Sequence, residues 1–116
     1  AKMRVADIFS LKIMKSGGIR RAIEVASIAR AAGISVYGGC MFETGIASTA
    51  GAHLMAAIPD LTLGCEFYMP TYYLQEDILC KPFQVNKGQV IIPTKPGLGV
   101  EVNLDVLSKY RVSLFS

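Results

Sequence analysis

The 116-residue chain is 52% apolar, carries a net charge of +3 and has one histidine, which suits one small domain with a modest core. Its basic residues are scattered and form no cluster interleaved with aromatics, which argues against nucleic-acid binding, and no apolar run approaches the ~20 residues that span a bilayer. The opening "AKMRVADIF" lacks the features of a signal peptide, and Cys40, Cys65 and Cys80, without a CxxC pair, fit the reducing cytoplasm as small buried thiols.

The first half reads as repeated βα units. Residues 5–13, "VADIFSLKI", are apolar on both faces, as in a strand buried within a parallel sheet. "KSGG" follows as a turn. Residues 19–33 then place Ile19, Ala22, Ile23, Ala26 and Ala29 on one helical face and Arg20, Glu24 and Ser27 on the other, with Gly33 as the stop. "ISVYGG" is a second strand, "GIASTAGAHLMAAI" a second helix ended by Pro59, and "LTLGCEF" a third strand. Strand, helix, strand, helix, strand with short connections predicts a parallel α/β sheet.

The second half changes character. Residues 82–93 read as a hairpin turning at Asn86-Lys87-Gly88. An extended stretch punctuated by Gly and Pro follows, and Asn103 caps a terminal helix over 104–112 with Asp105 in its first turn. Three parallel strands alone would leave two long apolar edges, which soluble proteins pair, cover or close. Together with a start lacking methionine, this predicts an excerpt of a longer chain that is not a well-behaved monomer by itself. The competing reading is a small βα module that pairs with itself.

In a closed βα barrel, chemistry sits at the C-terminal strand ends. Lys12, Glu43 and Glu66 occupy those places on three different strands. Alternation puts Ile8, Ser10 and Lys12 on one face and Phe9, Leu11 and Ile13 on the other. A lysine ending an inward-facing row is partly desolvated, as acid/base use requires; the alternative is a snorkelling lysine, like Lys15. Glu43 follows Gly38-Gly39 beside Met41 and Phe42. It suits a general acid and equally the acid favoured at the start of a helix. Glu66 either meets a substrate or pairs with a nearby cation. His53 reads as a packed helix residue, Asp60, Asp77 and Asp105 as turn and cap residues, and Tyr68, Tyr72 and Tyr73 as either a cleft wall or packing. "GLG" at 97–99 lacks the context of a dinucleotide fingerprint.

The segments "DIFSLKIMKSGGIRRAIEVASIARAAGI" and "YGGCMFETGIASTAGAHLMAA" resemble the last strands of the catalytic barrel of the enolase superfamily, muconate-lactonising subgroup. "EFYMPTYYLQEDIL", "GQVIIP" and "PGLGVEV" resemble the tail that follows that barrel. The resemblance implies a modified TIM barrel, (β/α)7β. Residues 1–70 would supply its last three βα units (strands six to eight), and residues 71–116 would return towards a capping domain. It further implies a cytoplasmic metal-dependent isomerase, a homo-oligomer acting on a small dicarboxylate: cis,cis-muconate and muconolactone in catechol breakdown, or a relative's chloromuconate, dipeptide or o-succinylbenzoate chemistry. A single acid in "CEFYM" argues against the dipeptide enzymes, which carry an acidic pair there. By resemblance Lys12 is the sixth-strand lysine, for charge stabilisation, Glu43 the seventh-strand proton donor, and Glu66 an eighth-strand acid touching substrate. The Mn²⁺ or Mg²⁺ of that family is held by acids on earlier strands, outside this chain. The chain is therefore expected to be inactive without the rest of its barrel and cap.

Overall fold

The computed structural model of the chain describes residues 2–3, 5–67 and 70–112. Strand β1 (Ile8–Leu11) is followed by the one-turn helix α1 (Ile13–Ser16), helix α2 (Ile19–Ala31), strand β2 (Ser35–Gly38) and helix α3 (Gly45–Ala57). β1 and β2 pair in parallel, with Ile8 opposite Ser35 and Leu11 opposite Gly38. The alternation expected along β1 holds. Leu11 is buried, with Phe9 and Ile13 packed on the same core, whereas Ile8 and Ser10 lie on the open face.

β1 is shorter than its apolar run, because the Lys12 carbonyl already accepts the Ser16 N–H at 2.9 Å and begins α1. Gly17, at φ 81°, closes that turn in the left-handed region that glycine adopts at no steric cost. On α2 the buried stripe is Ala22, Ala26 and Ala29, while Ile19 and Ile23, expected on the same inner face, are exposed. Small alanines let the helix lie close to the sheet, and the bulkier isoleucines flank that contact.

The third expected strand, over 61–67, narrows to one parallel bridge between Gly38 and Cys65. Its hydrogen bonds are Gly38 N–H to the Gly64 carbonyl (3.0 Å) and Glu66 N–H to the Gly38 carbonyl (2.9 Å). Gly64 has φ +69°, which interrupts an extended chain immediately before the bridge. The order β1, β2, Cys65 segment nevertheless places three successive strand ends side by side. A side chain at position 38 would not fit, since a Cβ there would sit 2.6 Å from the Cys65 Cβ.

Beyond residue 67 regular structure is sparse. Helix α4 (Pro70–Tyr73) is one turn, and the hairpin has only two residues per strand, β3 (Val85–Asn86) and β4 (Gln89–Val90). Lys87 and Gly88 have φ of 48° and 77°, the pair of positive values that a type I′ turn requires. Leu79 and Val102 form an antiparallel bridge. Helix α5 (Leu104–Lys109) is shorter than the segment expected over 104–112, and the Asn103 side chain caps it by accepting from the Asp105 and Val106 N–H groups. Phe83 returns to the main core.

Candidate functional site

The ends of β1, β2 and the Cys65 segment converge on the peptide of Cys40. Lys12 has extended backbone angles (φ −114°, ψ 123°), so its side chain keeps the strand register and stays on the face of Ser10. Its Nζ donates to the Cys40 carbonyl at 2.6 Å and to Glu66 Oε1 at 3.2 Å. The same Glu66 oxygen accepts the Cys40 N–H at 2.5 Å, and Oε2 accepts from the Tyr37 hydroxyl at 3.2 Å. Of the two readings of Glu66, the structure shows the ion pair. With side chains 20% and 29% exposed, the Lys12–Glu66 pair is shielded yet reachable.

The Cys40 N–H holds the Glu66 carboxyl below its ordinary value of 4.5, ahead of the opposing effect of burial; Lys12 and Tyr37 add to the lowering. The Glu66 carboxyl is therefore ionised at neutral pH. An ammonium has three N–H donors, and two acceptors, the Cys40 carbonyl and Glu66, take it among the described residues. Among the described residues one donor is left for an incoming anion. Gly39 makes room for this arrangement: a Cβ there would overlap Ser10 Oγ and lie 2.8 Å from Lys12 Nζ.

Glu43 belongs to the loop between β2 and α3 and is 7% exposed. Its carboxylate turns back on its own loop, accepting from the Met41 N–H and, at 2.7 Å, from Cys40 Sγ. It does not cap α3. The N-cap is Thr44, whose side chain makes no capping bond, and Asp77 Oδ1 takes the Gly45 N–H at 3.2 Å. The Glu43 carbonyl accepts the Tyr73 hydroxyl at 2.6 Å. Burial pushes the Tyr73 phenol up, with its Cys40 hydrogen bond adding to the effect. Phe42 adopts φ 61°, an outlier for a bulky residue, with its ring edge-on to Tyr73 at 5.4 Å.

Lys12 and Glu66 thus meet directly, while Glu43 reaches them only through the loop that ends at Cys40. Tyr37, the Cys40 peptide and Tyr73 carry more of the site than their sequence context indicated. Tyr37 was legible in principle: it pairs in register with Ser10, and so shares the open face with Lys12. Tyr68 lies outside the described residues, and Tyr72 is exposed. His53 Nε2 donates to the Leu98 carbonyl at 3.1 Å, fastening α3 to the tail, as a packed residue would. Among the described residues no group of three His, Cys, Asp or Glu is placed to hold a metal ion, and no helix is long and apolar enough to cross a membrane. A cleft of about 620 Å³ runs along the tail, walled by Phe83, Lys95 and Glu101 among others, and none of Lys12, Glu43 and Glu66 borders it.

A family model for the "Enolase C-terminal domain-like" family matches residues 1–106. The chain belongs to that family. Muconate cycloisomerase 1 of Acinetobacter baylyi is 43% identical over 111 residues, which are 96% of this chain and 30% of that protein. A chloromuconate cycloisomerase of Delftia acidovorans is 37% identical over 110 residues, 95% of this chain and 30% of that protein. The muconate lactonizing enzyme of Pseudomonas putida superimposes with a TM-score of 0.86 at 42% identity, covering 90% of this chain and 29% of that one. The enolase-type chain therefore spans about 30% of the length of the relatives it matches, and its α/β fold is that of the C-terminal part of an enolase-superfamily TIM barrel.

Proposed function

We propose that this chain is the C-terminal part of a cycloisomerase acting on a small unsaturated dicarboxylate, cis,cis-muconate or its chlorinated analogue, and that Lys12 and Glu66 are its share of the active site. Supporting this are the relatives of both kinds, at 43% and 37% identity. The observation that carries the reading is Lys12 Nζ, held between the Cys40 carbonyl and Glu66 at the ends of adjacent parallel strands. A cation fixed there, with one donor free among the described residues, binds a carboxylate. It also stabilises the negative charge that grows on that group as the ring closes or opens.

By resemblance Glu43 is the proton donor, and its carboxyl lies buried in the loop between β2 and α3, where it accepts from Met41 and Cys40. Glu66 stands nearer the chemistry. It aims Lys12, and it releases one oxygen when substrate arrives. Glu43 acts as the internal anchor of the loop. A divalent ion, Mn²⁺ or Mg²⁺, does not fit the described residues; its ligands would come from the preceding part of a longer chain, as would the rest of the barrel and the cap. Assembly as a homo-oligomer, a cytoplasmic setting and a division near residue 70 between barrel and return segment belong to the same proposal.

The test is lactone formation by the full-length protein supplied with Mn²⁺, with cis,cis-muconate and 2-chloromuconate as separate substrates. Turnover of either supports the cycloisomerase reading, and the ratio of kcat/KM values names the preferred one. A full-length protein inactive on both contradicts it.

A further inference from the structure

We propose that Tyr73 is a positioning residue: its phenol holds the 40–45 loop so that the Cys40 peptide stands between Lys12 and Glu66. The inference rests on the functional reading above, because it concerns the same site. Among the described residues the Tyr73 hydroxyl bonds to neither Lys12 nor Glu66 but to the chain between them. Its hydroxyl donates to the Glu43 carbonyl at 2.6 Å and lies 3.8 Å from Cys40 Sγ. Four residues further on, Asp77 takes the Gly45 N–H at 3.2 Å. A donor and an acceptor from one short stretch of the tail therefore bracket the loop at Glu43 and Gly45.

Just before the bracket, where Glu43 is buried, the loop passes through an exposed residue. Phe42 is 77% exposed and carries the left-handed backbone, so its conformation is not maintained by burial. Its restraints are the edge of the Tyr73 ring, at 5.4 Å and 67°, and the Glu43 carboxylate folded onto the Met41 N–H and Cys40 Sγ. This stretch begins at the Cys40 peptide, whose N–H meets Glu66 and whose carbonyl meets Lys12. If the Tyr73 hydroxyl is removed, the loop relaxes where it is strained, and the displacement reaches Cys40 first.

The groups facing Glu66 are Lys12 from the end of β1, Tyr37 from β2 and the Cys40 peptide. The Cys40 N–H is the largest influence holding its carboxyl low, so the Glu66 titration reports the position of that peptide. The experiment uses the full-length protein with Tyr73→Phe, which keeps the ring and removes only the hydroxyl. The Glu66 midpoint is read without substrate by carboxylate infrared difference spectroscopy, with Glu66→Gln identifying the band. In Tyr73→Phe we expect the midpoint to move up towards the ordinary carboxylate value, and kcat to fall about tenfold while KM changes less than threefold. Asp77→Ala, which frees the other end of the bracket, is expected to move the midpoint the same way.

An unmoved midpoint with kcat within twofold of wild type overturns the proposal. So does a lower Tm with midpoint and kcat both unchanged, which is the signature of a purely structural tyrosine. Wild-type protein inactive on both muconates would count against the reading of function, whereas a shifted midpoint in that same protein would still support the positioning role.

Discussion

The strand-bearing half of the chain and its tail hold themselves together by different means. In residues 8–67 the backbone is satisfied by parallel pairing and two 13-residue helices, and the side chains that matter project from strand ends. In residues 70–112 regular pairing amounts to a two-rung hairpin and one bridge, with two short helices. The tail is fastened by individual side-chain bonds: Tyr73 to the Glu43 carbonyl, Asp77 to the Gly45 N–H, and His53 of α3 to the Leu98 carbonyl. The comparison separates two jobs. The sheet supplies the charged pair, and the tail keeps the connecting loop in the register that lets the pair form.

Substitutions in the two regions should therefore fail differently. Lys12→Ala in the full-length protein is expected to lower kcat at least a hundredfold, the scale of a lost charge stabiliser, with a Tm close to wild type. Steady-state kinetics and a thermal melt read both. Gly39→Ala attacks the same pair through space, since the new Cβ would lie 2.8 Å from Lys12 Nζ and 2.9 Å from its Cγ. We expect kcat about tenfold lower and a destabilisation of ~1–3 kcal/mol from overpacking. In the tail, Asn103→Ala removes the cap of α5 and should cost about 1 kcal/mol of stability, measured by denaturant unfolding, with kcat within twofold of wild type. A kinetic defect in Asn103→Ala as large as that of Gly39→Ala would erase the proposed division of labour.

The pH dependence gives a smaller effect. Glu66 titrates below its ordinary 4.5 when folded. The stability it contributes is thus fully present above about pH 4.5 and lost as the pH falls through the folded value. Thermal melts from pH 6 down to pH 2 should show wild type losing stability more steeply than Glu66→Gln over that acid window. Parallel curves would mean that the Cys40 N–H and Lys12 do not hold the carboxylate in solution.

Much of the sheet half was legible in the sequence. The alternation along "IFSLK" separated Leu11 from Lys12, although the row read as inward-facing, Ile8, Ser10 and Lys12, is the open one and Leu11 is the buried residue; Gly38-Gly39 marked a close approach. What escaped were features set by contacts between distant segments. The third strand reads as seven apolar-rich residues but pairs through Cys65 alone, because Gly64 breaks the extended chain. Glu43 has the spacing of a helix cap, but its hydrogen bonds go to Met41 and Cys40, while the Gly45 N–H is taken by Asp77, 32 residues beyond Gly45. Periodicity carries no information about such pairings. Tyr73, one of several tyrosines in a polar stretch, gave no local sign of which hydroxyl would reach back to the loop.

In this site Lys12 and Glu66 act as one unit. A double-mutant cycle on kcat/KM in the full-length protein, using Lys12→Met, Glu66→Gln and the pair together, tests it most directly. The double variant is expected to be no slower than Lys12→Met alone, because Glu66 works by aiming that lysine. Losses that simply multiply would show that the two side chains act independently, and would contradict it.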